Sequence, residues 1–169
     1  MHKQDFETLE SEAAEAVAAL GRAAYERRVA VTVKSINCLL TNVPARPGVY
    51  WIETSMPSER LQEAIGATTG KARRTRKMPP KGVKLILQEG DDAYIAYSGT
   101  EGNLQSRLAQ HLFNRGNAQT IKLGCAVDLA PYSEYSWQVY YTVIDQAVLR
   151  YAVEAWWRQE VGWPVFCLR

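Results

Sequence analysis

Arg107 and His111 lie four residues apart in the stretch 101–114, where Leu104, Leu108 and Leu112 recur at helical spacing. On a helix the two side chains leave one face, about 5–6 Å apart at Cβ, at the margin of the leucine stripe. A guanidinium grips phosphate through paired hydrogen bonds, and an imidazole moves protons near neutral pH. Alone, the same spacing also describes a solvated surface pair. Glu154 sits in the apolar run YAVEAWW, where an unpaired carboxylate is costly to bury. Two uses would justify it: a hard oxygen ligand for Mg²⁺ or Mn²⁺, or an ion pair with Arg150 or Arg158, four residues away on either side. Tyr50 and Tyr97 add two phenols on apolar, strand-like segments. Strand tyrosines ordinarily just pack, and Trp137, Tyr140, Tyr141, Trp156, Trp157 and Trp163 read as core.

These residues need elements to hold them. Residues 6–27 are rich in Ala, Glu and Leu, with Leu9, Ala13, Val17 and Leu20 at helical intervals. They predict an amphipathic helix that packs on its own core or on a second copy. Residues 29–43 fit either a continuation of that helix or a strand, until Pro44 and Pro47 break the chain. Val49-Tyr50-Trp51-Ile52 predicts a strand ending near Thr54, and Pro57-Ser58-Glu59 a short helix through Ile65. Residues 83–87 predict a second strand, Gly90-Asp91-Asp92 a turn, and 94–97 a third strand ended by Ser98-Gly99. The helix over 101–114 has Thr100 or Asn103 to cap it; 137–144 is a strand, and Asp145 a cap for a helix over 146–161. The order predicts an α+β fold with a small, mainly antiparallel sheet flanked by helices.

The chain has 169 residues, of which 47% are apolar and 22% charged. That composition excludes collagenous, coiled-coil and disordered classes and fits one globular domain. Cys38, Cys125 and Cys167 form no C-x-x-C pair, so neither a disulfide framework nor a structural zinc site is expected. His2 lies at the terminus, which leaves His111 for any histidine chemistry. The acidic start and the lack of an apolar run of membrane length predict no secretion signal, no membrane partner and a cytoplasmic protein. The net charge of +2 conceals the segment 71–84, KARRTRKMPPKGVK, with seven bases and no acid. Lys71, Arg73, Arg74, Arg76, Lys77 and Lys81 in it are candidates for contacting phosphates of a nucleic acid.

Gly48-Val49-Tyr50, Tyr97-Ser98-Gly99, Asn103-Leu104, Arg107 eight residues after that second glycine, His111, and Glu154 before Trp156-Trp157 occur in this order. Together they resemble the GIY-YIG nuclease family over about residues 47–167. The resemblance divides the chain into an N-terminal helical segment, 1–43, and a nuclease-like domain, 44–169, with a basic insertion at about 55–90 between the signature strands. The sequence departs from the family pattern in four places. Its signature tripeptides are separated by residues 51–96 rather than about ten, and Ser98 replaces an isoleucine or valine. Thr100 and Glu101 stand where many members have lysine, and Phe166 and Cys167 where an asparagine is common.

The resemblance implies a metal-dependent DNA endonuclease, serving restriction, phage defence, mobile-element or repair biology. Glu154 would hold one Mg²⁺ or Mn²⁺ that assists the leaving 3′ oxygen, and Arg107 would clamp the scissile phosphate. Tyr50 would take a proton from water, its pKa depressed by nearby positive charge. His111 would accept a hydrogen bond from Tyr50 or relay its proton, and Tyr97 would position water or phosphate. The basic insertion would grip DNA at the mouth of the site, and the two cuts of duplex cleavage make a homodimer attractive. The alternatives are a non-catalytic nucleic-acid-binding module on the same fold and a nuclease toxin.

Overall fold

The computed structural model describes residues 3–69, 79–116 and 123–167. Chain order begins with helix α1 (Lys3–Glu26), strand β1 (Val29–Thr32), helix α2 (Ile36–Asn42) and strand β2 (Gly48–Thr54). Helix α3 (Ser58–Thr69), the two-residue strand β3 (Leu85–Ile86), strand β4 (Tyr94–Glu101) and helix α4 (Leu104–Leu112) follow. A 3₁₀ turn (Tyr132–Glu134), strand β5 (Trp137–Val143), helix α5 (Ala147–Glu160) and strand β6 (Trp163–Pro164) complete it. The fold is α+β, built on a four-stranded sheet of order β1-β5-β2-β4 in which every neighbouring pair is antiparallel. No described helix is long and apolar enough to cross a membrane.

The period-2 alternation of β2 decides what lies on each face of the sheet. Val49 and Trp51 pack with Ala24 of α1 and with Val153 and Trp157 of α5. Tyr50 and Ile52 point the other way, into the larger core with Leu39 of α2 and Leu104, Leu108 and Leu112 of α4. Each of those leucines is fully buried, worth about 1.5–3 kcal/mol apiece against exposure. Because both faces are covered, β2 reads as a continuous apolar run rather than as an alternating one.

Segment 29–43 resolves into β1, paired with β5, and α2, capped by Ser35, whose hydroxyl accepts from Cys38 N–H at 3.2 Å. The N-terminal segment 1–43 thus contributes a strand to the sheet that carries β2, and its α1 packs along α5. Phe6 and Leu9 of α1 remain exposed. Three local expectations are corrected. Ser98-Gly99 does not end the third strand; β4 runs on to Glu101, because Trp51 and Tyr50 of β2 pair with those two residues. The strand expected over 83–87 is only Leu85–Ile86, paired parallel with β6. Asp145 does not cap α5, whose N-cap is Gln146 without a side-chain bond. Asp145 is instead ion-paired with Arg46 at 3.0 Å, on the surface.

Candidate active site

The sheet brings the two phenols together. Tyr50 pairs with Gly99, and Tyr97 pairs with Ile52, two residues further along β2. The rings are therefore diagonal neighbours on one face and stack with centroids 6.2 Å apart and planes 17° off parallel. The register also explains both signature glycines. A Cβ on Gly99 would lie 2.5 Å from the Tyr50 hydroxyl and 2.7 Å from its Cζ, and one on Gly48 would lie 2.4 Å from the Thr142 carbonyl oxygen. Glycine is needed at each because another group occupies the Cβ place.

Helix α4 supplies the next two groups. Asn103 is its N-cap, accepting from Ser106 N–H at 2.9 Å. Its leucine stripe seats the helix on the sheet, and Arg107 and His111 then reach the phenols. His111 is completely buried. Its Nδ1 accepts the Leu123 N–H at 2.9 Å, and its Nε2 lies 3.1 Å from the Tyr50 hydroxyl oxygen. A ring nitrogen that accepts a backbone N–H carries no proton. Nε2 therefore bears it and donates to Tyr50. The expectation that His111 accepts from or relays for Tyr50 is corrected accordingly. Arg107 hydrogen-bonds both phenols, donates from Nη1 to Gln110 Oε1 at 2.8 Å, and lies 4.0 Å from Glu101.

Helix α5 closes the site. Glu154 is ion-paired with Arg158, one turn away, and their side chains are only 13% and 14% exposed. The Arg158 guanidinium is anchored by further contacts: Nε donates to Ser98 Oγ at 3.0 Å, Nη2 donates to Ser98 O at 3.1 Å, and the group lies over the Trp163 ring at 4.9 Å. Cys167 Sγ accepts the Ser98 N–H at 3.2 Å behind it. These groups line a cavity of about 560 Å³ whose walls include Tyr50, Tyr97, Arg107, Tyr151, Glu154 and Arg158.

Burial dominates the protonation of the cavity. It lifts the Tyr50 phenol well above its ordinary value, with help from Tyr97, and Arg107 only partly opposes this. The expectation of a depressed Tyr50 pKa is therefore overturned for the protein by itself: for a phenol this buried, one guanidinium does not offset desolvation. Tyr97 is raised by burial and by Cys167, against Arg107 and Arg158. Burial raises the Glu154 carboxyl above its ordinary value, and Arg158 only partly opposes this. Burial lowers Arg107, but its two phenol partners more than restore it, so it stays a cation.

Tyr50, Tyr97, Arg107 and Glu154 thus line one cavity, with His111 directly behind Tyr50. Lys71, Arg73, Arg74, Arg76 and Lys77 lie outside the described residues, and Lys81 is exposed on the loop before β3. Arg158, Ser98 and Tyr151 belong to the site but were not among the residues singled out for it. Arg158 carried a signal in its i+4 spacing from Glu154, and Ser98 in its place between Tyr97 and Gly99. Among the described residues no group of three or more His, Cys, Asp or Glu side chains could hold a metal. Mg²⁺ commonly takes one or two protein carboxylates and completes its shell with water and substrate phosphate. A lone carboxylate at the cavity wall suits that donor set, although Oε1 of Glu154 is held by Arg158. Neither a family model nor any curated protein or solved structure matches the chain.

Proposed function

We propose that the chain is a metal-dependent DNA endonuclease of the GIY-YIG kind, which hydrolyses phosphodiester bonds in the cavity between β4, α4 and α5. One observation carries the reading. Two phenols from strands β2 and β4, a guanidinium and an imidazole from α4, and a carboxylate from α5 meet at one recessed place.

Arg107 is the phosphate clamp, a cation that hydrogen-bonds the two phenols and the Gln110 carboxamide and lies 4.0 Å from Glu101. Such preorganised charge at a developing oxyanion is worth about 3–4 kcal/mol. Tyr50 is the base for the attacking water. His111 Nε2–H and Arg107 both donate to its oxygen, so they favour the phenolate that must first form, by loss of the phenol proton to solvent, before Tyr50 can take a proton from the attacking water. His111 is a fixed donor that orients Tyr50, held by the Leu123 N–H on its far side. Tyr97, stacked on Tyr50 and bonded to Arg107, positions water or phosphate. Glu154 is the residue that would hold Mg²⁺ or Mn²⁺, and the ion would supply charge neutralisation at the phosphate and the leaving oxygen.

One observation favours the non-catalytic alternative: Glu154 is already paired with Arg158. A cleavage assay with Mg²⁺ or Mn²⁺ on single-stranded DNA, duplex DNA and RNA separates the two. The nuclease reading expects cleavage by wild type and losses of 100-fold or more in Glu154→Ala and Arg107→Ala. Binding without cleavage on every substrate would establish the binding module instead.

A further inference from the structure

Tyr151 stands at the rim of the cavity and is 65% exposed. It precedes Glu154 by three residues on α5, so ring and carboxylate share one helical face, about 5–6 Å apart at Cβ. Val148, one turn earlier on that face, is 78% exposed. The entrance therefore presents a flat aromatic ring, while the charged groups are largely buried. Tyr50 is 1% exposed, and the Arg107, Glu154 and Arg158 side chains only 13–14%.

That recess favours a strand that can bend into it. A regular duplex presents its phosphates on a convex, comparatively stiff surface. A single strand can turn a phosphate inward, and so can a nucleotide freed from its pair, but the flanking base then loses its stack. Aromatic side chains replace such stacking without regard to base identity.

We propose that Tyr151 is a base-stacking platform and that the site takes a DNA strand with an unpaired base beside the scissile phosphate. The inference rests on reading the cavity as a phosphodiester site. Its test is equilibrium binding in EDTA, where no metal-dependent cleavage occurs. The probes are a short fluorescent single-stranded oligonucleotide and the same sequence as a blunt duplex, over a range of salt. Tyr151→Ala should weaken single-strand binding about tenfold, Tyr151→Phe should preserve it, and duplex binding should be unchanged. The salt slope should also be unchanged, because stacking displaces no counterions. Because Tyr151 is exposed, none of these variants risks the fold. If wild type binds both probes and Tyr151→Ala affects neither, or weakens both equally, the platform is refuted and the nuclease reading stands. Failure of wild type to bind or cleave any nucleic acid would remove the nuclease reading and the platform with it.

Discussion

Gly99→Ala tests the site through a single methyl group. The added Cβ would lie 2.5 Å from the Tyr50 hydroxyl, 2.7 Å from Cζ and 3.1 Å from Cε1. The ring cannot retreat, since Tyr50 is 1% exposed and held between the stacked ring of Tyr97 and the tilted ring of the buried His111. Overpacking of this kind costs about 1–3 kcal/mol, and displacing the hydroxyl from His111 adds about 1 kcal/mol. Replacing glycine in a strand returns about 0.5–1 kcal/mol of chain entropy. The net cost is about 1–3.5 kcal/mol, or a Tm lowered by roughly 2–14 °C in a chain of this size. Gly102→Ala, three residues on, is the matched control, because its Cβ would meet nothing within 4 Å. It should fall within about 0.5 kcal/mol of wild type. Urea and thermal unfolding of the two variants, repeated in a Tyr50→Leu background that removes the clashing atoms, give the coupling directly. Equal costs for the two glycines, or an unchanged Gly99→Ala cost in the Tyr50→Leu background, would refute the geometry.

Two further outcomes follow from the protonation of the site. The folded state holds the Tyr50 proton above the ordinary phenol value, whereas the unfolded chain releases it near pH 10. The unfolded state then binds fewer protons, so stability falls as pH rises through 10. Tyr50→Phe should flatten that fall in alkaline urea titrations, and an identical slope would count against the burial account. In ¹⁵N NMR at neutral pH, His111 should appear as the Nε2–H tautomer. A proton on Nδ1 would contradict the Leu123 hydrogen bond and with it the orienting role.

The sequence reading succeeded where the chemistry is local. The i, i+4 spacing of Arg107 and His111 and the leucines beside them put both groups on one helix, and the fold keeps them there. It failed where a partner distant in sequence decides. Ser98-Gly99 looked like a strand end because glycine is a poor strand former, yet that glycine makes room for a ring 49 residues away in sequence. The ionisation of Tyr50 was misjudged because a list of nearby cations says nothing about desolvation. Arg158 was visible only as a salt-bridge partner; its bonds to Ser98 and its place over Trp163 come from the return of the chain along β4. Asp145 has the side chain of a good cap but is drawn away by Arg46, 99 residues distant in sequence.

The position of β2 between β4 and β5 has a consequence for how the protein is made. Tyr50 pairs with Gly99 on one side and with Tyr141 on the other, and Glu154 follows later still. Pairings of such long range form slowly and late in folding. A nascent chain still short of α5 lacks the carboxylate and Arg158, and one that has not closed its sheet has no stacked phenols. The reactive constellation is thus absent from every partly made form and arises only on completion of the native topology.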